Sequence, residues 1–357
     1  MKSLYLFASS LLTTLLLSNA NVVLDFNTRI TISLVMSLFN FITLNSVMQK
    51  YAVTSKISIY TKIINYLILM YYVIITYLHF FSTSEVRTIL RFLNKNIEFR
   101  AVEKSYMENC NSFENVSDKI DWFVFAHLWG WFAKGIIVRN FFLLNLNSVI
   151  FELIELRFQH ILPNFYECWW DHIFLDVLIC NFIGITSSML FMKHFNMVLY
   201  DWKFPDKIKP NKKNIIFPTV DKLCRKVFTN SSTLLLLIFI SFILNIIDLN
   251  IFFLKAEIKL HHGNLIVILR TFVIGFISCK ACREFYRLLK DGMTPKRIFY
   301  VLLEIIILLL ELLLAYRWKG SLVSDKSDLT AINMVWLFIT STLSSILLLL
   351  YVNESLI

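Results

Sequence analysis

Runs of about 20 apolar residues recur along almost the whole chain and leave it few ways to fold. A helix rises about 1.5 Å per residue, so such a run matches a hydrocarbon core about 30 Å thick. The runs fall at roughly 4–24, 30–48, 62–81, 122–138, 141–162, 171–192, 232–254, 264–282, 298–316 and 332–351. They predict about eight to ten crossings, with 122–138 and 141–162 the weakest because they are short or polar. Of the 357 residues, 57% are hydrophobic, more than a soluble domain carries. Phe occurs 33 times against seven Gly and five Pro, and the alternating, turn-rich pattern of a membrane barrel is absent. The expected fold is therefore all-α: a polytopic transmembrane helical bundle forming a single integral membrane domain over 1–357.

Two stretches depart from the apolar pattern. Residues 82–120 mix charged and apolar residues at helical spacing and read as an interfacial amphipathic segment. Residues 201–226 carry eight Lys/Arg against three Asp, which predicts a cytoplasmic basic loop suited to an anionic bilayer surface. A topology signal without a specific ligand explains that loop, and the net charge of +10, equally well. Residues 1–20 resemble a signal peptide, but a second apolar run follows at once, which favours an uncleaved first span. The six cysteines suggest no disulfide framework, and Cys279 and Cys282 lack a His partner for zinc. Nothing points to nucleic acid.

Against this background, residues 152–181 stand out, holding Glu152, Glu155, Glu167, Asp171 and Asp176. An ionised carboxylate in hydrocarbon costs several kcal/mol, so these acids must face protein, water or a cation. Glu152 and Glu155 share one helix face. Pro163-Asn164 breaks the helix and starts another. At 100° per residue, Glu167, Asp171 and Asn181 fall within an arc of about 80°, and Asp176 lies about 180° from Glu167. Arg157 is the only Lys or Arg between 141 and 192 and cannot balance four or five acids. They are either held protonated by burial or, the reading favoured here, share a metal ion, and hard oxygen donors suit Ca²⁺, or Mg²⁺ or Mn²⁺, rather than zinc.

Upstream, His127 lies in the aromatic run 122–138, with Lys134 on nearly the same face and Arg139 at the far end. As a core residue His127 needs no function. Beside a metal cluster it becomes a candidate base or nucleophile, and Lys134 or Arg139 a candidate phosphate ligand.

The order and spacing of these residues identify a resemblance. "FVFAHLWGWFAKGIIVR", "ELIEL", "LPNFYECWWD" and "DVLICN" resemble the eukaryotic base-exchange phosphatidylserine synthases. "NIIDLNIFFLK" (245–255, with Asp248 where the family has Glu), "ILRTFVIGFISCKACREFYRLLKD" (268–291) and "LLELLLAYR" (309–317) extend the likeness over roughly 85–317.

The resemblance implies a Ca²⁺-dependent enzyme of the endoplasmic reticulum membrane. It would exchange the head group of phosphatidylcholine or phosphatidylethanolamine for L-serine, with 122–192 as its catalytic core, and it is compatible with a homodimer. Residues required in the family correspond to His127, Glu152, Glu155, Asn164, Glu167, Asp171, Asp176 and Asn181. We assign His127, Glu152 and Asp176 to catalysis, with Asp176 orienting His127, and Glu155, Glu167, Asp171, Asn164 and Asn181 to the metal. Lys134, Arg139, Arg270 and Arg283 are candidate contacts for lipid phosphate or serine carboxylate. Pairing of the last two with Glu284 or Glu311 is an equal alternative. Asp171-His172 leans toward the ethanolamine-preferring branch. The segment between the second and third runs lacks the Pro/Gly-rich loop of animal members, and no long cytosolic tail is expected. A CDP-alcohol phosphotransferase would need Asp-Gly-x-x-Ala-Arg, whereas Asp291-Gly292 is followed by "MTPKR". A metal or ion transporter could use the same acids.

Overall fold

A computed structural model describes residues 2–20, 24–52, 58–99, 110–111, 122–205, 215–261, 263–319 and 329–355. In chain order the α-helices are α1 (Lys2–Ala20), α2 (Phe26–Ala52), α3 (Ile59–Leu78), α4 (Thr83–Leu93), α5 (Trp122–Val138), α6 (Phe141–Phe158), α7 (Phe182–His194), α8 (Pro218–Phe228), α9 (Ser231–Ile258), α10 (Leu265–Asp291), α11 (Pro295–Trp318) and α12 (Thr330–Ser355). A 3₁₀ turn, Pro163–Phe165, and a π-helix, Asp171–Asn181, lie between α6 and α7. Among the described residues no strand forms, only an isolated bridge between Phe99 and Leu260.

Every predicted run is helical. Among the described residues, seven helices are long and apolar enough to cross a membrane: Phe26–Tyr51, Ile59–Leu78, Asp171–His194, Ser231–Ile258, Leu265–Asp291, Pro295–Trp318 and Thr330–Ser355; Val124–Val138 is a shorter apolar helix. The chain is thus a multi-pass helical membrane protein. The α6 helix owes its polarity to Glu152, Glu155 and Arg157 near its C-terminus.

Local chemistry sets the helix ends. Ser82 and Glu85 form a capping box at α4, Asn140 caps α6, Asn264 caps α10, and Thr294 precedes Pro295 at α11. The segment expected to be amphipathic from 82 is helical over Thr83–Leu93; residues 100–109 and 112–121 lie outside the described residues. The basic segment expected to be a loop is helical from Pro218, because proline at the first turn sacrifices no hydrogen bond; residues 206–214 lie outside the described residues.

The chain divides into two compact units. One comprises Met1–Glu103 and Leu249–Val323, the other Lys104–Asp248 and Ser324–Ile357. In the first unit, buried hydroxyls and amides join α1 to α2: Ser10 Oγ donates to Asn40 Oδ1 at 2.6 Å, and Asn40 Nδ2 donates to Thr14 Oγ1 at 2.9 Å. Such polar contacts hold helices together where lipid removes the hydrophobic drive. Arg270 there ion-pairs with Glu311 at 2.7 Å, and Tyr71 bonds to both residues. The second unit holds α5, α6, the π-helix, α7, α8, the first part of α9, and α12, and with them every acid of the cluster.

Candidate functional site

The site grows from a short corner. Arg139 sits in the left-handed region (φ 56°), and Asn140 Oδ1 accepts from Leu143 N at 2.9 Å, so only two residues separate α5 from α6. Glu152 and Glu155 then lie near the end of α6, both buried. Residues 159–170 turn back. Asn164 is buried in the 3₁₀ turn, and Cys168 forms a disulfide with Cys110. The cysteine spacing gave no hint of that crosslink.

The next segment corrects the helical-wheel expectation. Asp171–Asn181 is a π-helix, in which N–H groups bond five residues back, so every fifth residue returns close to the same face. Asp171, Asp176 and Asn181 are spaced by five. Asp176 therefore joins the other acids instead of facing away, and Glu167 precedes the helix rather than lying on it. Ligand atoms of Glu167, Asp171 and Asp176 lie within 4.8 Å of one another, as do those of Glu152, Glu155, His172 and Asp176. Asp176 belongs to both groups.

A hydrogen-bonded chain connects the acids to His127. His172 Nδ1 lies 3.0 Å from Glu152 Oε2 and 3.7 Å from Glu155 Oε2. Asn181 Nδ2 donates to Glu152 Oε1 at 3.2 Å and to Ser148 Oγ at 2.8 Å, which turns its amide oxygen toward His127, 2.6 Å from Nε2. The Trp131 indole N–H donates to the same Nε2 at 3.1 Å, and Asp176 Oδ1 is 3.8 Å away. A protonated Nε2 can donate to Asn181, and a bare one can accept from Trp131. The ring thus has a partner in either state. Among the described residues, the only basic side chains within ion-pair range of Glu152, Glu155 and Asp176 are the two histidines.

Of the four basic residues expected at this site, Lys134 lies beside it and the other three do not join the acids. Lys134 Nζ bonds to Asp248 Oδ2 at 2.7 Å and lies over the Trp131 ring. Arg139 donates to the carbonyls of Ile136 and Val198, at the opposite end of α5 from His127. Arg270, in the other unit, pairs with Glu311, one of the two alternatives its sequence context offered. Arg283 is exposed in that same unit. Reasoning from sequence missed His172, Ser148 and Trp131 as parts of the site. Only the five-residue spacing of Asp171, Asp176 and Asn181 pointed to the helix type that assembles it.

Comparison with known proteins places the chain in a family. Residues 58–319 match the family model described as phosphatidyl serine synthase. The chain is 30% identical over 277 residues to "CDP-diacylglycerol--serine O-phosphatidyltransferase 1" of Arabidopsis thaliana, covering 72% of this chain and 65% of that protein. It is 30% identical over 267 residues to "CDP-diacylglycerol--serine O-phosphatidyltransferase 2" of Oryza sativa subsp. japonica, covering 70% and 63%. Over 238 residues it is 30% identical to human "Phosphatidylserine synthase 2", covering 62% and 49%. The matched region spans less than two thirds of the length of each of these relatives. With the family match running through α3 to α11 and across the whole acidic corner, the chain belongs to the phosphatidyl serine synthase family.

Proposed function

We propose that this chain is a phosphatidyltransferase of the endoplasmic reticulum membrane that makes phosphatidylserine by head-group exchange. L-serine would replace the choline or ethanolamine of an existing phospholipid, with Ca²⁺ as the metal. The observation that carries this reading is the pair of buried acid groups sharing Asp176 beside His127. The printed names of the relatives support its coarser part, since each describes transfer to serine or synthesis of phosphatidylserine.

The donor set fits the metal. Ca²⁺ takes oxygen ligands at about 2.3–2.6 Å, so two ligands of one ion lie within about 5 Å of each other. The acid groups fall inside that limit at 4.8 Å. Two like charges about 4 Å apart repel by about 4 kcal/mol at an effective dielectric near 20, so the buried acids need a shared cation to remain ionised. Glu167, Asp171 and Asp176 would hold it, or Glu155 and Asp176 in the second group, with Asn164 as a neutral oxygen donor; the Asn181 amide oxygen is turned to His127 instead. When bound, Ca²⁺ supplies the positive charge that offsets developing negative charge on the phosphodiester oxygens.

The chain's own groups supply the rest. Acting as a base, His127 takes the serine hydroxyl proton while the serine oxygen attacks phosphorus. The bond from phosphorus to the choline or ethanolamine oxygen breaks, and that oxygen takes up the proton. Acting as a nucleophile, His127 bonds to phosphorus as the bond to the choline or ethanolamine oxygen breaks and water protonates that oxygen; the serine oxygen then bonds to phosphorus as the bond to His127 breaks, and water takes the serine proton. In both routes the imidazole gains positive charge, which Asp176 at 3.8 Å stabilises. Glu152 orients Asn181, and Asn181 orients the ring.

The names of the plant relatives favour a second reading, in which CDP-diacylglycerol is the donor. Radiolabelled serine added to membranes containing the protein separates the two. Label in phosphatidylserine without CDP-diacylglycerol, abolished by chelator and by His127→Ala, supports exchange. Label that requires CDP-diacylglycerol supports the second reading.

A further inference from the structure

The Cys110–Cys168 disulfide fixes more than a local turn. We propose that it staples the acidic corner on the oxidising, non-cytosolic side of the membrane, so that the hydrophilic substrate enters from that side. The orientation stands apart from the chemistry proposed above; the identity of what enters rests on that reading.

Cys168 lies between Glu167 and Trp169, three residues before Asp171. The Trp170 indole N–H donates to the Cys110 carbonyl at 3.0 Å, so a bond and a hydrogen bond together hold residue 110 against the corner. Structural disulfides form and persist in oxidising compartments. The other end of this unit has the opposite character. Tyr200 N donates to the Arg139 carbonyl, Asn140 Nδ2 to the Tyr200 carbonyl, and Trp202 Nε1 to the Val138 carbonyl, each at 3.0 Å. Residues 138–140 and 198–202 therefore share one end, and the basic segment 201–226 begins there. That segment carries eight Lys/Arg against three Asp, whereas residues 159–170 contain no Lys or Arg. Excess Lys and Arg mark the cytosolic side.

One candidate span, Asp171–His194, separates the disulfide from the basic segment. A single crossing puts them on opposite faces. Redox chemistry and charge asymmetry, two unrelated signals, thus give the same orientation. The site residues lie toward the disulfide. Glu152 and Glu155 are near the end of α6, Asp171 and Asp176 at the start of the span, and His127 in the first half of α5. The glycosylation signals of the sequence divide in the same way. Asn115-Val116-Ser117 follows Cys110 by five residues, while the other two belong to Asn230 and Asn353, both buried at the basic end.

Three measurements on the full chain in sealed microsomes test this. Thiol counting with a maleimide polymer after denaturation should find the four free cysteines before reduction and all six after it, with one more before reduction in Cys110→Ala. Six before reduction would overturn the staple. A membrane-impermeant maleimide should label Lys209→Cys in sealed vesicles and Asn115→Cys only after detergent opens them. The reverse pattern, or protection of Lys209→Cys, would overturn the orientation. Serine incorporation should fall by the same factor, on the order of tenfold, in Cys110→Ala, Cys168→Ala and the double variant, since all three break one bond. A loss confined to Cys168→Ala would contradict stapling. Failure of the proposed reaction would silence this last assay in the unsubstituted protein and leave the labelling pattern intact.

Discussion

Gly184 is where a single methyl group should separate folding from activity. It lies on α7 against α5, and a Cβ there would sit 2.6 Å from the Leu128 carbonyl oxygen, 3.0 Å from Trp131 Cβ and 3.1 Å from Phe132 N. Two of these are backbone atoms, which cannot rotate away. Ordinary contact begins at 3.4 Å, so in Gly184→Ala the helices must part by about 0.8 Å. Leu128 adjoins His127, and Asn181 is three residues from Gly184. The same displacement stretches the 2.6 Å contact between His127 and Asn181 to the edge of hydrogen bonding. Misplacement of reacting groups by about 1 Å costs on the order of 100-fold in rate, whereas overpacking of this kind costs about 1–3 kcal/mol of stability. Serine incorporation per unit of monodisperse protein should therefore fall on the order of 100-fold while the protein still folds. Gly130→Ala, on α5 with nothing within 4 Å of its Cβ, should keep full activity. Wild-type activity in Gly184→Ala would refute the argument that this crossing sets the His127 geometry.

Three further outcomes can be checked. Ca²⁺ should raise the melting temperature of the purified protein, by a stabilisation of about 2.7 kcal/mol at 100 times Kd. Asp176→Asn, which removes the acid common to both groups, should abolish that shift in differential scanning fluorimetry. Asn181→Ala should lower kcat for serine incorporation by about 10²–10³-fold with a much smaller change in KM, because it frees His127 without removing it; steady-state kinetics would read this. Burial pushes the Glu85 carboxyl up, but hydrogen bonds from the Ser82 N–H and hydroxyl and from Arg29 outweigh it and hold the group below its ordinary value. Its stabilisation is full at neutral pH and is lost as pH falls through and below the ordinary carboxylate range. Glu85→Gln should therefore lower the melting temperature at neutral pH, leave it nearly unchanged at acid pH, and so flatten the acid limb of the profile.

Much of this architecture was legible from residue spacing because lipid imposes a length on apolar helices, and each of the ten runs is helical. The acids were legible for a related reason: carboxylates within apolar helices require an explanation that a surface acid does not. Asp176 was misplaced because a helical wheel assumes 100° per residue, and propensity carries no signal for a π-helix. The disulfide escaped notice because Cys110 and Cys168 are 58 residues apart and no local pattern pairs them. The partners of Lys134 and Arg139, Asp248 and the Val198 carbonyl, escaped notice because they are remote in sequence.

The most direct test of the central claim is the stoichiometry of exchange in vesicles. Purified protein in phosphatidylethanolamine or phosphatidylcholine vesicles, with Ca²⁺, labelled serine and no nucleotide, should release one ethanolamine or choline for each phosphatidylserine formed, and His127→Ala should release none. Phosphatidylserine formed only when CDP-diacylglycerol is supplied, or undiminished in His127→Ala, would contradict exchange at this site.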